Sequence, residues 1–170
     1  DHRDLHSFPT RRSSDLTPYL VGRCAAFEAF AARLTQAARS LATVLIQGES
    51  GAGKGLAARA IHDLSDRAAG PFVAISPAAL APGLIEAELF GHEEGAFTGA
   101  HRSRVGRFER ANGGTLCLDD VDALTPEVQA KLLRALQTRA IEPLGAEGPR
   151  PVDVRLVATT QRDQIGRAHV

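Results

Sequence analysis

The chain has 170 residues, with 20 basic and 20 acidic side chains and a formal net charge of zero. Its 44% hydrophobic and 24% charged residues exclude disordered and fibrous classes and are typical of one globular domain. The balanced charge carries no signature of nucleic-acid or membrane-surface binding, and no apolar run approaches the roughly 18 residues of a membrane helix.

Hydrophobic periodicity predicts strands and helices that alternate along the chain. In chain order, the predicted elements are a helix over 24–41, a strand over 42–47, a helix over 54–64, strands over 72–76 and 115–118, a helix over 126–137 and a strand over 154–158. Thr125 is the expected N-cap of the last helix. Strands this apolar leave no face for solvent, so we expect an α/β fold, a parallel sheet sandwiched by helices.

Both ends of the chain carry tails that we expect to be non-biological. Residues 1–16 can be back-translated into a string similar to a short-read sequencing adapter, and residues 164–170 into the adapter of the opposite end. Genuine flexible tails are the alternative. The chain has no methionine, so we expect a piece of a longer protein, with its biological segment over 17–163.

A glycine-rich stretch after the first predicted strand matches the pattern G-x-x-x-x-G-K. Its candidate nucleotide-binding residues are Gly48, Glu49, Ser50, Gly51, Ala52, Gly53, Lys54 and Gly55. Such a loop turns backbone N–H groups towards phosphate oxygens, and Lys54 supplies a cation to the β- and γ-phosphates. Gly55 lacks the hydroxyl with which the general motif holds Mg²⁺, so a carboxylate elsewhere must contribute. A glycine-rich turn with an incidental lysine is the alternative.

Two acidic residues follow the predicted strand 115–118, at the edge where parallel sheets bind ligands. We expect Asp119 to associate with Mg²⁺ and Asp120 to orient or deprotonate the attacking water. An acidic pair that caps the next helix is the alternative. ATP and Mg²⁺ are the expected cofactors.

A further hexapeptide, GAFTGA, carries a resemblance to a known family. It comprises Gly95, Ala96, Phe97, Thr98, Gly99 and Ala100. With the preceding ELFGH and with GESGAGKG, ARAIH, GRFERANGGTLCLDD, QAKLLRAL and DVRLVATTQRD, it resembles the AAA+ domain of sigma-54-dependent transcriptional activators, the bacterial enhancer-binding proteins. The similarity spans 17–163, and other AAA+ branches lack the hexapeptide, so an unrelated P-loop enzyme has little support.

The resemblance implies a P-loop NTPase of the AAA+ type, here without its C-terminal lid, in a hexameric ring in the bacterial cytoplasm. ATP hydrolysis would drive remodelling of the sigma-54 RNA polymerase holoenzyme, with Phe97 as the main contact and Thr98 beside it. A Phe97 that plugs the core beneath its loop is the alternative. DNA would be bound only through a C-terminal domain beyond this chain, and no membrane is expected.

Several catalytic positions depart from the family pattern. Asp120 stands where the family has a water-activating Glu, and Ser76 stands at the switch position, where Asn restrains that Glu. Thr160 matches the sensor threonine, but Gln161 stands where Asn follows it, and Gly55 where Glu is usual. Because Asp is shorter than Glu by one methylene, a water misplaced by about an ångström is expected to cost roughly 100-fold in rate. The alternative function is therefore a degenerate nucleotide-binding switch with little or no hydrolysis.

The activity of the chain alone, the segment 141–152, the two cysteines and a basic run give further expectations. The chain alone is expected to be inactive or very weak, because the arginines that a neighbouring subunit donates lie beyond it. The segment 141–152 corresponds, by the resemblance, to a second pore-side insertion. Cys24 and Cys117 lack metal-ligand spacing, favour a reducing compartment, and are expected to be small core residues. A basic run predicts a solvated face formed by Arg102, Arg104, Arg107 and Arg110, and contact with nucleic acid, nucleotide or a neighbouring subunit is the alternative.

Overall fold

The computed structural model describes residue 20 and residues 22–161, so the two predicted tails, 1–16 and 164–170, lie outside the described residues. In chain order its helices and strands are α1 Ala25–Ala38, β1 Val44–Gln47, α2 Lys54–Asp63, β2 Phe72–Ile75, α3 Pro82–Phe90, β3 Gly91–His92, β4 Arg104–Val105, α4 Arg107–Arg110, β5 Thr115–Leu118, α5 Pro126–Thr138, β6 Ala140–Ile141, β7 Arg150–Pro151 and β8 Arg155–Thr160. Single 3₁₀ turns cover Pro77–Ala79 and Val121–Ala123.

The main sheet has four parallel strands in the order β1-β8-β5-β2. The two central strands, β5 and β8, are buried at every position. The prediction that every strand lacks a solvent face is wrong for the outer strands: Leu45 of β1 is 51% exposed, and Ala74 of β2 is also exposed. Each outer strand has one hydrogen-bonded neighbour among the described residues, so less protein covers it.

Helices cover both faces of the sheet, as predicted. On one face, Ile46 and Val157 pack with residues of α1 and α2, including Leu34 and Ile61. On the other face, a larger core joins α3, α4 and α5 to the residues of β5 and β8 that point the opposite way. The observed architecture is therefore an α/β sandwich.

The ends of the predicted helices are close to the observed ones, with one instructive difference. Helix α1 ends at Ala38 rather than at residue 41, and buried Arg155 donates hydrogen bonds to the carbonyl oxygens of Ala37 and Ala38. A side chain distant in sequence thus satisfies the helix terminus. The predicted cap of α5 is confirmed, because the Thr125 hydroxyl accepts a hydrogen bond from the Val128 N–H at 3.5 Å.

Helices α3 and α4 and four short strands are not predicted from the sequence pattern. Helix α3 has apolar residues on all sides, among them Leu84, Ile85 and Leu89, so it shows no amphipathic period. The antiparallel pairs β3–β4 and β6–β7 have only two residues in each strand, too few for any alternation to show.

The two cysteines have different environments. Cys117 is buried in β5, as predicted, but Cys24 is exposed just before α1, so the core prediction is wrong for Cys24. Cys24 is the N-cap residue of α1 and lies outside the packed face of the helix, so its apolar residue type does not bury it. Within residue 20 and residues 22–161, no helix has the length and apolar character needed to span a membrane.

Candidate nucleotide site

The phosphate loop (residues 48–55) connects β1 to α2. Gly51 and Gly53 have φ values of 77° and 84°, the left-handed region that glycine enters without steric cost. Lys54 opens α2 and is only 9% exposed, and its Nζ donates to the carbonyl oxygens of Gly48 at 3.1 Å and Glu49 at 3.0 Å. The loop therefore curls around its lysine at the positive end of a helix.

The phosphate loop is anchored to the central sheet. The Gly48 N–H donates to the carbonyl oxygen of Thr160 at 3.2 Å, one step past the register pair Gln47 and Thr160. Strand β8 lies between β1 and β5, so the carboxyl ends of these three strands meet at one edge. At Gly55, a Cβ would meet no described residue within 4 Å apart from its chain neighbours and its own helix backbone, so the fold leaves room for a side chain there.

Asp119 directly follows β5 on the face that carries α2. Its N–H donates to the Ile75 carbonyl oxygen at 2.9 Å, which continues the strand by one residue. By strand alternation, it shares a face with Cys117, which packs in the core of α1 and α2. Burial, with a smaller effect of the Asp119 charge, raises the pKa of the Cys117 thiol to about 11. That thiol is therefore a protonated neighbour of the site and not a nucleophile.

Asp120 adopts a left-handed backbone conformation, with φ 58° and ψ 64°. Its Oδ2 accepts a hydrogen bond from the Gln161 side-chain amide at 3.0 Å, and its Oδ1 is buried with no partner among the described residues. It precedes the turn Val121–Ala123, but its carboxylate makes no capping hydrogen bond there. The capping alternative for Asp120 is therefore not supported.

Among the described residues, Thr160 and Ser76, two further predicted site residues, do not contact the Asp120 carboxylate through their hydroxyls. The Thr160 hydroxyl donates to Asp122, on the opposite face of β8 from Asp119. The Ser76 hydroxyl is half-buried at the end of β2 and makes no hydrogen bond within the described part of the chain. Gln161, and not Ser76, is therefore the residue that holds the Asp120 carboxylate.

Sequence reasoning missed Thr159. Its hydroxyl donates to Asp119 Oδ1 at 2.6 Å and accepts a hydrogen bond from the Asp120 N–H at 3.0 Å. Strand alternation in β8 is the sequence signal for this residue. It places Thr159 and Gln161 on one face of the strand and Thr160, which matches the sensor threonine, on the other.

The GAFTGA loop (residues 95–100) joins β3 to β4. Its glycines take left-handed conformations, with φ 79° at Gly95 and φ 100° at Gly99, and the Gly95 N–H closes the loop on the Ala100 carbonyl oxygen at 2.8 Å. Phe97 is 38% exposed and meets the His92 ring edge-on, with centroids 5.0 Å apart. Phe97 is therefore not a core plug.

The connection between β6 and β7 packs on the base of the GAFTGA loop. The Glu93 N–H donates to the Leu144 carbonyl oxygen at 2.8 Å, and the Leu144 N–H to that of Gly91 at 3.0 Å. Arg150 forms ion pairs with Glu93 and Glu109 across the same junction. The GAFTGA loop and the β6–β7 connection are thus joined by backbone and charge contacts.

The basic run forms no continuous cationic surface. Arg104 and Arg107 both pair with the Glu88 carboxylate, at 2.5 and 3.3 Å. Arg102 and Arg110 are exposed. This arrangement agrees with the predicted solvated face.

Comparison with known proteins identifies relatives over nearly the whole chain. The family model described as the Sigma-54 interaction domain matches residues 20–168. The chain is 51% identical over 144 residues to the C4-dicarboxylate transport transcriptional regulatory protein DctD of Pseudomonas aeruginosa and 52% identical over 144 residues to the Nif-specific regulatory protein of Herbaspirillum seropedicae. These alignments cover 85% of this chain but 31% and 27% of the relatives, so the chain spans less than a third of their length.

Solved structures give the same picture. The crystal structure of NtrX from Brucella abortus in complex with ATP has a TM-score of 0.79 at 39% identity, over 90% of this chain and 33% of that chain. The P-loop NTPase domain of a sigma-54 transport activator from E. coli has a TM-score of 0.54 at 25% identity, over 85% of this chain and 81% of that chain. The fold is that of a P-loop NTPase, and the chain belongs to the family of sigma-54 interaction domains.

Proposed function

We propose that this chain is the ATP-binding and ATP-hydrolysing core of a sigma-54-dependent transcription activator. The observation that carries the proposal is the shared edge at which the phosphate loop, with Lys54 at the N-terminus of α2, meets the acids that follow β5. The solved relative NtrX in complex with ATP supports the nucleotide. The proposed cofactors are ATP and Mg²⁺.

Binding would use groups that the phosphate loop already presents. Lys54 Nζ now donates to two loop carbonyl oxygens, and phosphate oxygens are stronger, charged acceptors for the same donors. The N-terminal N–H groups of α2 and its dipole favour the same anion. ATP supplies the transferable phosphoryl group, and Mg²⁺ neutralises charge on its phosphates.

The carboxylates fit the remaining tasks. Asp119 would contribute the protein oxygen ligand that Gly55 cannot, in keeping with the one or two carboxylates typical of nucleotide-bound Mg²⁺. The Asp120 carboxylate, whose Oδ2 is held by Gln161, is the group proposed to accept a proton from an attacking water. Thr160 contributes to the edge through its carbonyl oxygen, which holds Gly48.

The GAFTGA loop is the proposed contact with the sigma-54 RNA polymerase holoenzyme. An apolar ring exposed on a glycine-flanked loop is suited to a partner surface, and Phe97 has this character. The family description and the names of the relatives, which are regulatory proteins, support this partner. A homo-oligomeric ring and DNA binding through another part of the parent protein belong to the same proposal.

Calorimetric titration of this chain with ATP tests the nucleotide part. Wild type should bind ATP, and Lys54→Ala should weaken binding by about 100-fold, through loss of a charge-assisted contact worth roughly 3 kcal/mol. Lys131→Ala is the matched control, because Lys131 lies on α5 and pairs with Glu86. Equal affinities of wild type and Lys54→Ala would contradict the proposal.

A further inference from the structure

The hydroxyl of Thr159 connects the two acids of the site. Thr159 is fully buried in β8, one step past the register pair Leu118 and Ala158, so it stands opposite Asp119. A threonine hydroxyl has one proton to donate and two lone pairs. Here the proton goes to Asp119 Oδ1 at 2.6 Å, and a lone pair accepts the Asp120 N–H at 3.0 Å.

The second of these hydrogen bonds fixes an uncommon backbone conformation. Among the described residues, only Asp120 and Arg139 are non-glycine residues with positive φ. Asp tolerates this region better than most residues but does not prefer it, so surrounding contacts must hold it there. The Asp120 N–H bonded to Thr159 and the Asp120 carboxylate bonded to Gln161 are two such contacts.

Within residue 20 and residues 22–161, no neighbouring hydroxyl duplicates this link. Thr160 is directed to Asp122 on the other face of β8, and the Ser76 hydroxyl makes no hydrogen bond within the described residues. A valine at position 159 would keep the branched shape of the side chain but would remove both hydrogen bonds. One oxygen atom, Thr159 Oγ1, therefore contacts both the Asp119 carboxylate and the Asp120 backbone.

We propose that Thr159 is a positioning residue for the acid pair, orienting the Asp119 carboxylate for a metal–nucleotide complex and fixing the backbone from which Asp120 projects. The inference rests on the proposed nucleotide site and adds to it a residue that acts through its neighbours. Residues behind a metal ligand typically change metal affinity by about 10- to 100-fold when they are removed.

The test compares Thr159→Val with Thr159→Ser, which keeps the hydroxyl. Thr115→Val is the matched control, because Thr115 is a buried threonine of β5 whose hydroxyl bonds His62 at 2.9 Å. ATP affinity is measured by calorimetry in Mg²⁺ and in a metal chelator. Thr159→Val should lower the Mg²⁺-dependent gain in affinity by about 10-fold and leave the affinity in chelator unchanged. Thr159→Ser and Thr115→Val should keep the wild-type gain.

Several outcomes would overturn this role. The role is contradicted if Thr159→Val keeps the wild-type gain in ATP affinity with Mg²⁺, or if Thr115→Val loses as much of that gain. It is also contradicted if Thr159→Val loses ATP affinity equally in chelator, or if Mg²⁺ does not change the ATP affinity of wild type. Hydrogen exchange of the Asp120 amide in the nucleotide-free chain gives a separate readout, which should be faster in Thr159→Val than in Thr159→Ser. If wild type binds no ATP, the proposed function fails, whereas equal exchange rates in the two variants contradict the positioning role alone.

Discussion

The side-chain amide of Gln161 donates to Asp120 Oδ2 at 3.0 Å, across the adjacent ends of β8 and β5. The carboxylate that is proposed to act on water is thus held by a residue of the next strand. Ser76, at the position that the resemblance assigns to this restraint, makes no such contact. The residue that contacts the Asp120 carboxylate in this structure is therefore Gln161.

The length of the acid at position 120 is the first quantity to test. For a working ring, residues 20–161 would replace the matching segment of Pseudomonas aeruginosa DctD, which is 51% identical over 144 residues. In this chimera, Asp120→Glu should raise ATP turnover, by up to about 100-fold, because the longer side chain brings the carboxylate closer to the water. Steady-state phosphate release measures the effect, with Asp120→Asn as the inactive control. A lower turnover in Asp120→Glu would mean that the site is built around aspartate.

The exposed ring of the GAFTGA loop gives a second prediction. Phe97→Ala in the same chimera should leave ATP turnover within about twofold of the parent, since Phe97 packs on His92 and not on the core. It should abolish ATP-dependent binding to the sigma-54 holoenzyme, measured by co-sedimentation. Leu133→Ala is the control, because Leu133 is also an exposed apolar residue, on α5. Unchanged holoenzyme binding by Phe97→Ala would remove this loop from the proposed interface.

The contact between the GAFTGA loop and the β6–β7 connection predicts a stability difference between two glycines. Gly145 has φ 75°, and a Cβ there would lie 2.9 Å from Ala96 Cβ, whereas a Cβ at Gly148 would meet no described residue within 4 Å apart from its chain neighbours. Gly145→Ala should therefore lower the free energy of unfolding by about 1–2 kcal/mol and speed hydrogen exchange in the GAFTGA loop. Gly148→Ala should do neither. If urea denaturation shows the same change in the free energy of unfolding for Gly145→Ala and Gly148→Ala, the close contact between residue 145 and Ala96 is contradicted.

Buried Arg155 predicts a large loss of stability. Its guanidinium donates to the carbonyl oxygens of Ala37 and Ala38. Arg155→Met should remove both hydrogen bonds, leaving Ala37 with its backbone donor Ser40, and should cost about 2–4 kcal/mol in urea denaturation. Arg134→Met, which breaks an exposed pair with Glu142, should cost less than about 1 kcal/mol. A similar cost for both variants would contradict the role of Arg155 in ending α1.

The two cysteines should differ sharply in reactivity. Burial raises the pKa of the Cys117 thiol to about 11, so the thiolate is scarce at pH 8, while Cys24 is exposed. A maleimide reagent at pH 8 should modify Cys24 within minutes and Cys117 only after unfolding in urea. Because the folded-state pKa is raised, the stability contributed by the protonated Cys117 thiol should be lost as pH rises from about 9 towards 11. Rapid labelling of Cys117 in the native chain would contradict its burial.

Much of the fold follows from local pattern. The predicted strand 115–118 is confirmed with its bounds, and the Thr125 cap marks the start of α5. Both features depend on residues adjacent in sequence: a run of apolar residues for the strand and a capping side chain for the helix. The end of α1 is different, since it depends on Arg155, more than a hundred residues away. Exposure at Leu45 likewise depends on strand order, which the periodicity of β1 alone does not specify.

The residues of the candidate site also differ in whether local sequence predicts them. Motif and strand context predict the phosphate loop and Asp119 as site residues, because a glycine pattern and an acid at a strand end are local signals. Thr159 was missed because its role arises from the register between β5 and β8. The contact of Gln161 with Asp120 also requires that register, together with the left-handed backbone at Asp120.

We propose that this domain uses ATP hydrolysis to act on the sigma-54 holoenzyme. The most direct measurement is ATP-dependent open-complex formation at a sigma-54 promoter by the DctD chimera, recorded beside its ATP turnover and beside unmodified DctD. We predict that the chimera supports both reactions and that Lys54→Ala abolishes both. Tight ATP binding without turnover or open complexes would contradict the account and would identify the domain as a nucleotide-binding switch.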